Sequence, residues 1–228
     1  MIQSLFNHFE NIFVFDVETT GLYPGRDEII EIAMLHIANH DNVPKIINDI
    51  NTLIRLSPGK ELPSKITELT GITMREINEK GKTKEEVCDK LSVMLNCDNP
   101  LIAAYNAQFD LGFLYYLLNQ YNQLHLLQNL KMLDVLTIYK DRKPYPHKLS
   151  DAATAYNIDA QQTHRAYGDA LLTYKVLCEM GKELDDFEHY VNLFGYNPKY
   201  GISGKKISSI KYLPQGFNRT TKLYNDIH

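Results

Sequence analysis

Apolar and polar positions along the first part of the chain alternate in the manner of strands. The run Phe13 to Leu22, FVFDVETTGL, starts as a buried strand and is interrupted by two acids, Asp16 and Glu18. Strand side chains alternate with period two, so Phe13, Phe15 and Val17 share one face while Val14, Asp16 and Glu18 share the other. Both carboxylates therefore point the same way. Thr19 to Gly25 is turn chemistry, with glycines free to take positive φ and Pro24 fixing its own. Glu28 to Ile37 (EIIEIAMLHI) and Ile46 to Leu56 (IINDINTLIRL) read as second and third strands, and the short connections predict an antiparallel meander.

The period then becomes helical. Pro63 to Leu69 predicts a short turn of helix, and Thr83 to Leu95 a longer one with Val87, Leu91, Val93 and Leu95 on its apolar side and acids in its first turn. LIAAY, Leu101 to Tyr105, is wholly apolar, like a central strand, and Ala107 to Tyr121 follows as a helix. Leu130 to Leu133 forms a last strand running into a helix from Asp134; Lys148 to Ile158 is helical, Asp159 to Thr163 is a polar break, and a helix covers Ala166 to Met180. A meander followed by alternating strands and helices predicts an α/β architecture, a mixed sheet with helices on its faces.

Composition narrows the class. With 228 residues, 44% hydrophobic and 23% charged, the chain has the make-up of a soluble globular protein rather than a disordered or membrane-spanning one. The opening MIQSLFNHFENIF lacks the basic and small-residue flanks of a signal peptide, so a cytoplasmic location is expected, with no membrane partner. Cys88, Cys97 and Cys178 have no CxxC spacing, and neither a disulfide framework nor a zinc site is indicated. The net charge of -4 is unevenly spread: from Gly195 onward Lys199, Lys205, Lys206, Lys211, Arg219 and Lys222 face only Asp226, giving +5 and leaving -9 for the rest. Tyr196, Tyr200, Tyr212, Phe217 and Tyr224 interleave with those lysines, the composition of a single-strand groove and equally of a small packed appendage.

Three clusters carry candidate chemistry. Asp16 and Glu18, side by side at the end of an apolar strand, either lie in water where the strand ends or share a hard divalent cation, for which oxygen ligands suit magnesium or manganese. Asn106-Ala107-Gln108-Phe109-Asp110 follows LIAAY directly. Asn106 is placed to cap the helix, and Asp110 falls in its first turn, where an acid serves the helix dipole or a ligand site at the strand's C-terminal end. His164-Arg165-Ala166-Tyr167-Gly168-Asp169 brings a histidine just before a helix and an acid a little over one turn later, with little bulk between.

In order, DVETTGL, EIIEIA, LTGIT (Leu69 to Thr73), NAQFD and HRAYGD cover about residues 10 to 180 and resemble the DEDDh branch of the DnaQ-like 3′-5′ exonucleases, the family of the proofreading exonuclease of replicative DNA polymerases. His164, Ala166 and Asp169 match His-x-Ala-x-x-Asp, and Arg165 stands where the tyrosine branch would need tyrosine. The resemblance implies a ribonuclease H-like five-stranded sheet in a domain over 8–182, followed by a basic, aromatic-rich extension over 183–228. It also implies two divalent cations, Mg2+ or Mn2+, one held by Asp16, Glu18 and Asp169 and a second near Asp110 bridged by Asp16, with His164 accepting a proton from water. By the same resemblance Thr19 and Leu22 would meet the 3′-terminal nucleotide, and Asn106 and Phe109 would line its pocket, although Phe109 reads equally as a core residue. The implied substrate is a single-stranded or frayed 3′ end of DNA, with RNA as the alternative. Proofreading would engage a DNA polymerase in trans. A non-catalytic nucleic-acid or polymerase-binding module would have lost a ligand or the histidine, and none is missing.

Overall fold

The computed structural model describes residues 2–41, 43–128, 130–159, 164–217 and 221–227. Most of the polar break before His164, and Arg219 of the basic tail, lie outside these residues. After a short helix α1 (Gln3–Phe6), strands β1 (Asn11–Thr19), β2 (Ile29–His40) and β3 (Val43–Leu53) form the antiparallel meander. Helices α2 (Ser64–Thr70), α3 (Met74–Lys80) and α4 (Lys84–Leu95) precede β4 (Leu101–Ala104). Then come α5 (Ala107–Gln120), α6 (His125–Gln128), β5 (Lys131–Asp134), α7 (Val135–Arg142), α8 (Leu149–Ala155) and α9 (Ala166–Glu183). The sheet order is β3-β2-β1-β4-β5, with β4 and β5 parallel to β1. The mixed five-stranded sheet read from the sequence is therefore present. Because β1, β4 and β5 run the same way, their C-terminal ends meet at one edge, where the loops and helix starts that follow them converge.

The two faces of β1 go to different cores, as its alternation requires. Phe13, Phe15 and Val17 pack with Val87, Cys88 and Leu91 of α4 and Leu111 and Leu114 of α5; Ile12 and Val14 pack with Ala170, Val176 and Leu177 of α9. Each fully buried side chain of this size contributes about 1.5–3 kcal/mol. Asp16 and Glu18 continue the α9 face beyond the apolar part of the strand.

Several local readings are corrected. Val93 is 81% exposed, whereas Met94 and Cys88 are buried with Val87, Leu91 and Leu95. Positions 87, 91 and 95 stack on one helical stripe and 93 lies nearly opposite it. The strand expected from Ile46 to Leu56 begins three residues earlier and ends at Leu53. Helix α3 was not anticipated; Thr73 and Glu76 start it with a reciprocal capping box.

The C-terminal extension packs on the body. A 3-10 turn at Phe187–Tyr190, the parallel pair β6 (Leu193–Tyr196) and β7 (Lys211–Pro214), and a turn at Leu223–Asp226 follow α9. Phe187, Tyr190, Leu193 and Leu223 join the α9 core with Ile2 and Leu5, and Phe194 joins the other.

Candidate active site

The C-terminal end of β1 is shaped by a register shift between Glu18 and Thr19 against β2. Such a bulge turns the strand and re-aims its last side chains. Thr19 is buried and its hydroxyl donates to the Gly21 carbonyl, 2.6 Å away. A Cβ at Gly21 would stand 2.4 Å from Asp27 Oδ2, so any other residue would displace this carboxylate, which accepts from the Tyr23 N–H at 2.9 Å. The closed turn leaves Leu22 72% exposed at its tip.

At the next strand end, Asn106 occupies the residue before α5 with φ +67°, a left-handed conformation that asparagine tolerates, and its side chain makes no capping bond. The expected cap is thus corrected. Asp134, at the end of β5, accepts the Ala107 N–H at 3.0 Å and also caps α7 through Leu136 and Thr137. Asp110, buried in the first turn of α5, accepts the Val17 N–H at 3.2 Å, which places it against the backbone between Asp16 and Glu18. Phe109 is partly buried, its ring 5.0 Å from that of Phe113, while Asn106 is exposed.

Helix α9 brings in the third group. Ala166 and Ala170 are fully buried, so small side chains let its first turns lie close over the sheet. Asp16, Glu18 and Asp169 each offer a carboxylate oxygen within 4.8 Å of the others. His164, at φ +43°, shares with Asp169 a recess of about 120 Å³ also lined by Lys148, Leu149, Ser150 and Leu172.

One residue of this arrangement was not singled out by the sequence reading. Glu31 on β2 is 2% exposed and sits across from Glu18 in register. Arg165 Nε donates to both of its carboxylate oxygens at 3.0 Å, and the Ala166 N–H donates to Oε2 at 2.9 Å. Glu31 thereby ties down the residue after His164 and the first turn of α9 together. The available signal was a lone charge inside the otherwise apolar Ile29 to Leu35, IIEIAML, which a buried strand carries only with a partner. Asp134 was missed as a site-shaping residue too, although an aspartate immediately before the apolar pair Val135-Leu136 is a cap signature.

Electrostatically the site is overloaded with negative charge. Burial, followed by the charges of Asp110, Asp169, Glu18 and Glu31, holds Asp16 well above the carboxylate range. Burial, with Asp169 and Glu31, pushes Glu18 up to about 8, against a smaller opposing pull from Arg165. Asp110 is raised chiefly by burial, opposed by the Val17 N–H; Asp169 is raised by burial, with His164 opposing. Three acids this close, with Arg165 already engaged by Glu31, are short of positive charge, and their hard oxygen donors fit a divalent cation. Among the described residues no other group of three such side chains meets this geometry.

A family model described as Exonuclease, RNase_T, matches residues 13–177, a span that contains Asp16, Glu18, Asp110, His164 and Asp169. The chain belongs to this exonuclease family. Among its relatives, DNA polymerase III PolC-type of Clostridium perfringens is 31% identical over 200 residues, covering 85% of this chain and 13% of that protein. The 3′-5′ exonuclease DinG of Bacillus subtilis is 31% identical over 180 residues, 77% of this chain and 18% of that protein. The chain thus spans a small fraction of the length of these relatives. Among solved structures, E. coli exonuclease I in complex with a dT13 oligonucleotide superposes with a TM-score of 0.66 at 17% identity, over 79% of this chain and 42% of that one. The nuclease domain of 3′hExo, a DEDDh family member bound to rAMP, gives 0.64 at 16% identity, over 79% of this chain and 96% of that one. The fold is therefore the ribonuclease H-like fold of DEDDh exonucleases, a group that works with divalent metal ions. No helix among the described residues is long and apolar enough to cross a membrane.

Proposed function

We propose that this exonuclease removes nucleotides one at a time from the 3′ end of single-stranded or frayed DNA, releasing nucleoside monophosphates in proofreading or repair. The observation that carries this reading is the convergence of Asp16, Glu18 and Asp169 within 4.8 Å, with His164 beside Asp169 in one recess. The kinship with PolC-type polymerases and with a named 3′-5′ exonuclease supports it. In this reading residues 8–182 form the catalytic unit, 183–228 add a substrate-handling extension, a DNA polymerase is a partner in trans, and the setting is the cytoplasm.

Asp16, Glu18, Asp169 and Asp110 would hold two divalent cations, Mg2+ or Mn2+. When bound, these supply charge neutralisation at the phosphate and activation of water. His164 accepts the proton as water oxygen bonds to phosphorus, and the bond from phosphorus to the 3′ oxygen of the preceding nucleotide breaks, that oxygen taking a proton from solvent to become the new 3′-hydroxyl. The exposed Leu22 meets the last base, the backbone around Thr19 meets the terminal 3′-hydroxyl, and Asn106 and Phe109 line the same pocket. Terminal unpairing precedes cleavage, because a helix end presents no separated strand to a site of this kind.

Digestion of single-stranded DNA and RNA oligonucleotides labelled at the 5′ end, with magnesium, manganese or EDTA, tests this. A metal-dependent ladder shortening from the 3′ end of DNA is expected. A ladder on RNA alone would keep the chemistry and move the substrate, and no ladder with any metal would leave a binding module.

A further inference from the structure

The family match ends at residue 177, yet part of the extension is fastened beside the acids. Strand β6 lies along β5: the Asn192 N–H donates to the Met132 carbonyl at 2.7 Å, and three residues later the Gly195 N–H donates to Thr137 Oγ1 at 2.9 Å. It therefore runs toward the end of the sheet that carries the acids, and the segment after Tyr196 emerges there. Gln108, two residues before Asp110, grips that segment. Its Nε2 donates to the carbonyls of Ser203 and Lys205 at 2.8 and 3.0 Å, and its Oε1 accepts from the Tyr212 hydroxyl at 2.7 Å. A side-chain amide using both ends in this way fixes the loop over the first turn of α5.

What the loop presents is cationic and aromatic. Lys199, Lys205 and Lys206 are exposed, and Tyr200 is 74% exposed, whereas Phe194 and Tyr190 of the same extension are buried. Gly201 and Gly204 take positive φ where the backbone turns; Lys205 after them lies over the Tyr115 ring of α5 and donates to its hydroxyl, and Lys199 and Lys206 remain on the exposed side of the loop. Lys199 Nζ lies 5.3 Å from the centre of the Tyr200 ring. An exposed ring beside ammonium groups suits a flat base flanked by phosphates, and stacking of this kind tolerates any base.

We propose that the loop 197–207 is a docking site for the upstream part of the single strand, with Lys199 and Lys206 on backbone phosphates and Tyr200 stacked on a base, outside the pocket for the terminal nucleotide. This rests on the reading of the acidic site as one that takes 3′ ends, and it adds a contact that the matched region does not contain.

The test is equilibrium binding of oligodeoxythymidylates labelled with fluorescein at the 5′ end, about 4 to 16 nucleotides long, to the full chain in EDTA. The wild type is compared with the Lys199→Gln/Tyr200→Ala/Lys206→Gln variant by anisotropy at several salt concentrations. The wild type should tighten with length; the variant should lose about tenfold or more on the longest strands, little on the shortest, and its log–log salt slope should be shallower by about 1.4. Lys206→Gln alone should move both in the same direction, which separates the effect from misfolding, as should an unchanged melting temperature. Equal affinities and slopes at every length would overturn the proposal. Digestion with magnesium in parallel keeps the two readings apart: length-dependent binding without any shortening of 3′ ends would refute the exonuclease reading and leave the loop as a strand-binding surface.

Discussion

At the scale of single residues, crowding of like charge decides the behaviour of the site. Glu18, pushed up to about 8, and Asp16 and Asp169, also raised, are protonated in the cation-free fold at pH values where the unfolded chain has already lost those protons. The folded state then binds more protons than the unfolded one, so stability falls as pH rises from the ordinary glutamate value through about 8. Melting in EDTA is expected to show this decline. Magnesium should offset it increasingly toward pH 8 and release protons on binding, and Glu18→Gln should flatten the EDTA curve. Glu31 lives at the same scale. Glu31→Gln weakens a partly exposed ion pair and should cost about 1–3 kcal/mol of stability. If Glu31 acts through His164, it should also lower kcat with little change in KM. His164→Ala alone should lower kcat by about 10²–10⁴, and adding Glu31→Gln to it should lower kcat no further. Additive losses would make Glu31 merely structural.

At the scale of elements, the site is a meeting of strand ends and helix starts. Asp134 shows how closely the two are joined, since one carboxylate caps α7 and accepts the first N–H of α5. Asp134→Ala should destabilise the protein by about 2 kcal/mol or more, read from denaturant melts. It should also loosen the turn that presents Asp110. Elements with a strong period were legible: β1, β2, β4, α5 and α9 stand where alternation and spacing put them, and with them Asp16, Glu18, Asp110 and Asp169. These acids stand out because each interrupts or borders an apolar run. Glu31 and Asp134 carry the same mark, but their role rests on a partner more than 20 residues away, Arg165 for one and Ala107 for the other. The cap at Asn106 was misread for the same reason, as the acceptor came from a neighbouring strand. Val93 was misplaced by treating apolarity as burial, although helical geometry already set it apart from Leu91.

At the scale of the whole molecule, the extension divides its aromatic residues between two tasks. Phe187, Tyr190 and Phe194 complete the cores, and Tyr200 stays in water with the lysines beside the acids. Composition alone left groove and packed appendage equally open, because the same tyrosines and lysines serve either.

The other rim of the sheet has a different character. β3 is the outer strand opposite β5, and Val43, Ile46 and Ile47 are exposed along it. An open row of backbone donors and acceptors with apolar neighbours invites a second copy of itself. Here the invitation is blunted at its start: Pro44 has no N–H, its carbonyl faces the Tyr174 hydroxyl at 3.4 Å, and Lys45 adds charge. Replacing Pro44 by Thr and Lys45 by Val should therefore leave the edge that carries the acids untouched and yet make light scattering grow more steeply with concentration than in the wild type, edge adding to edge. Two residues far from the chemistry would then set how concentrated a solution of this enzyme can be.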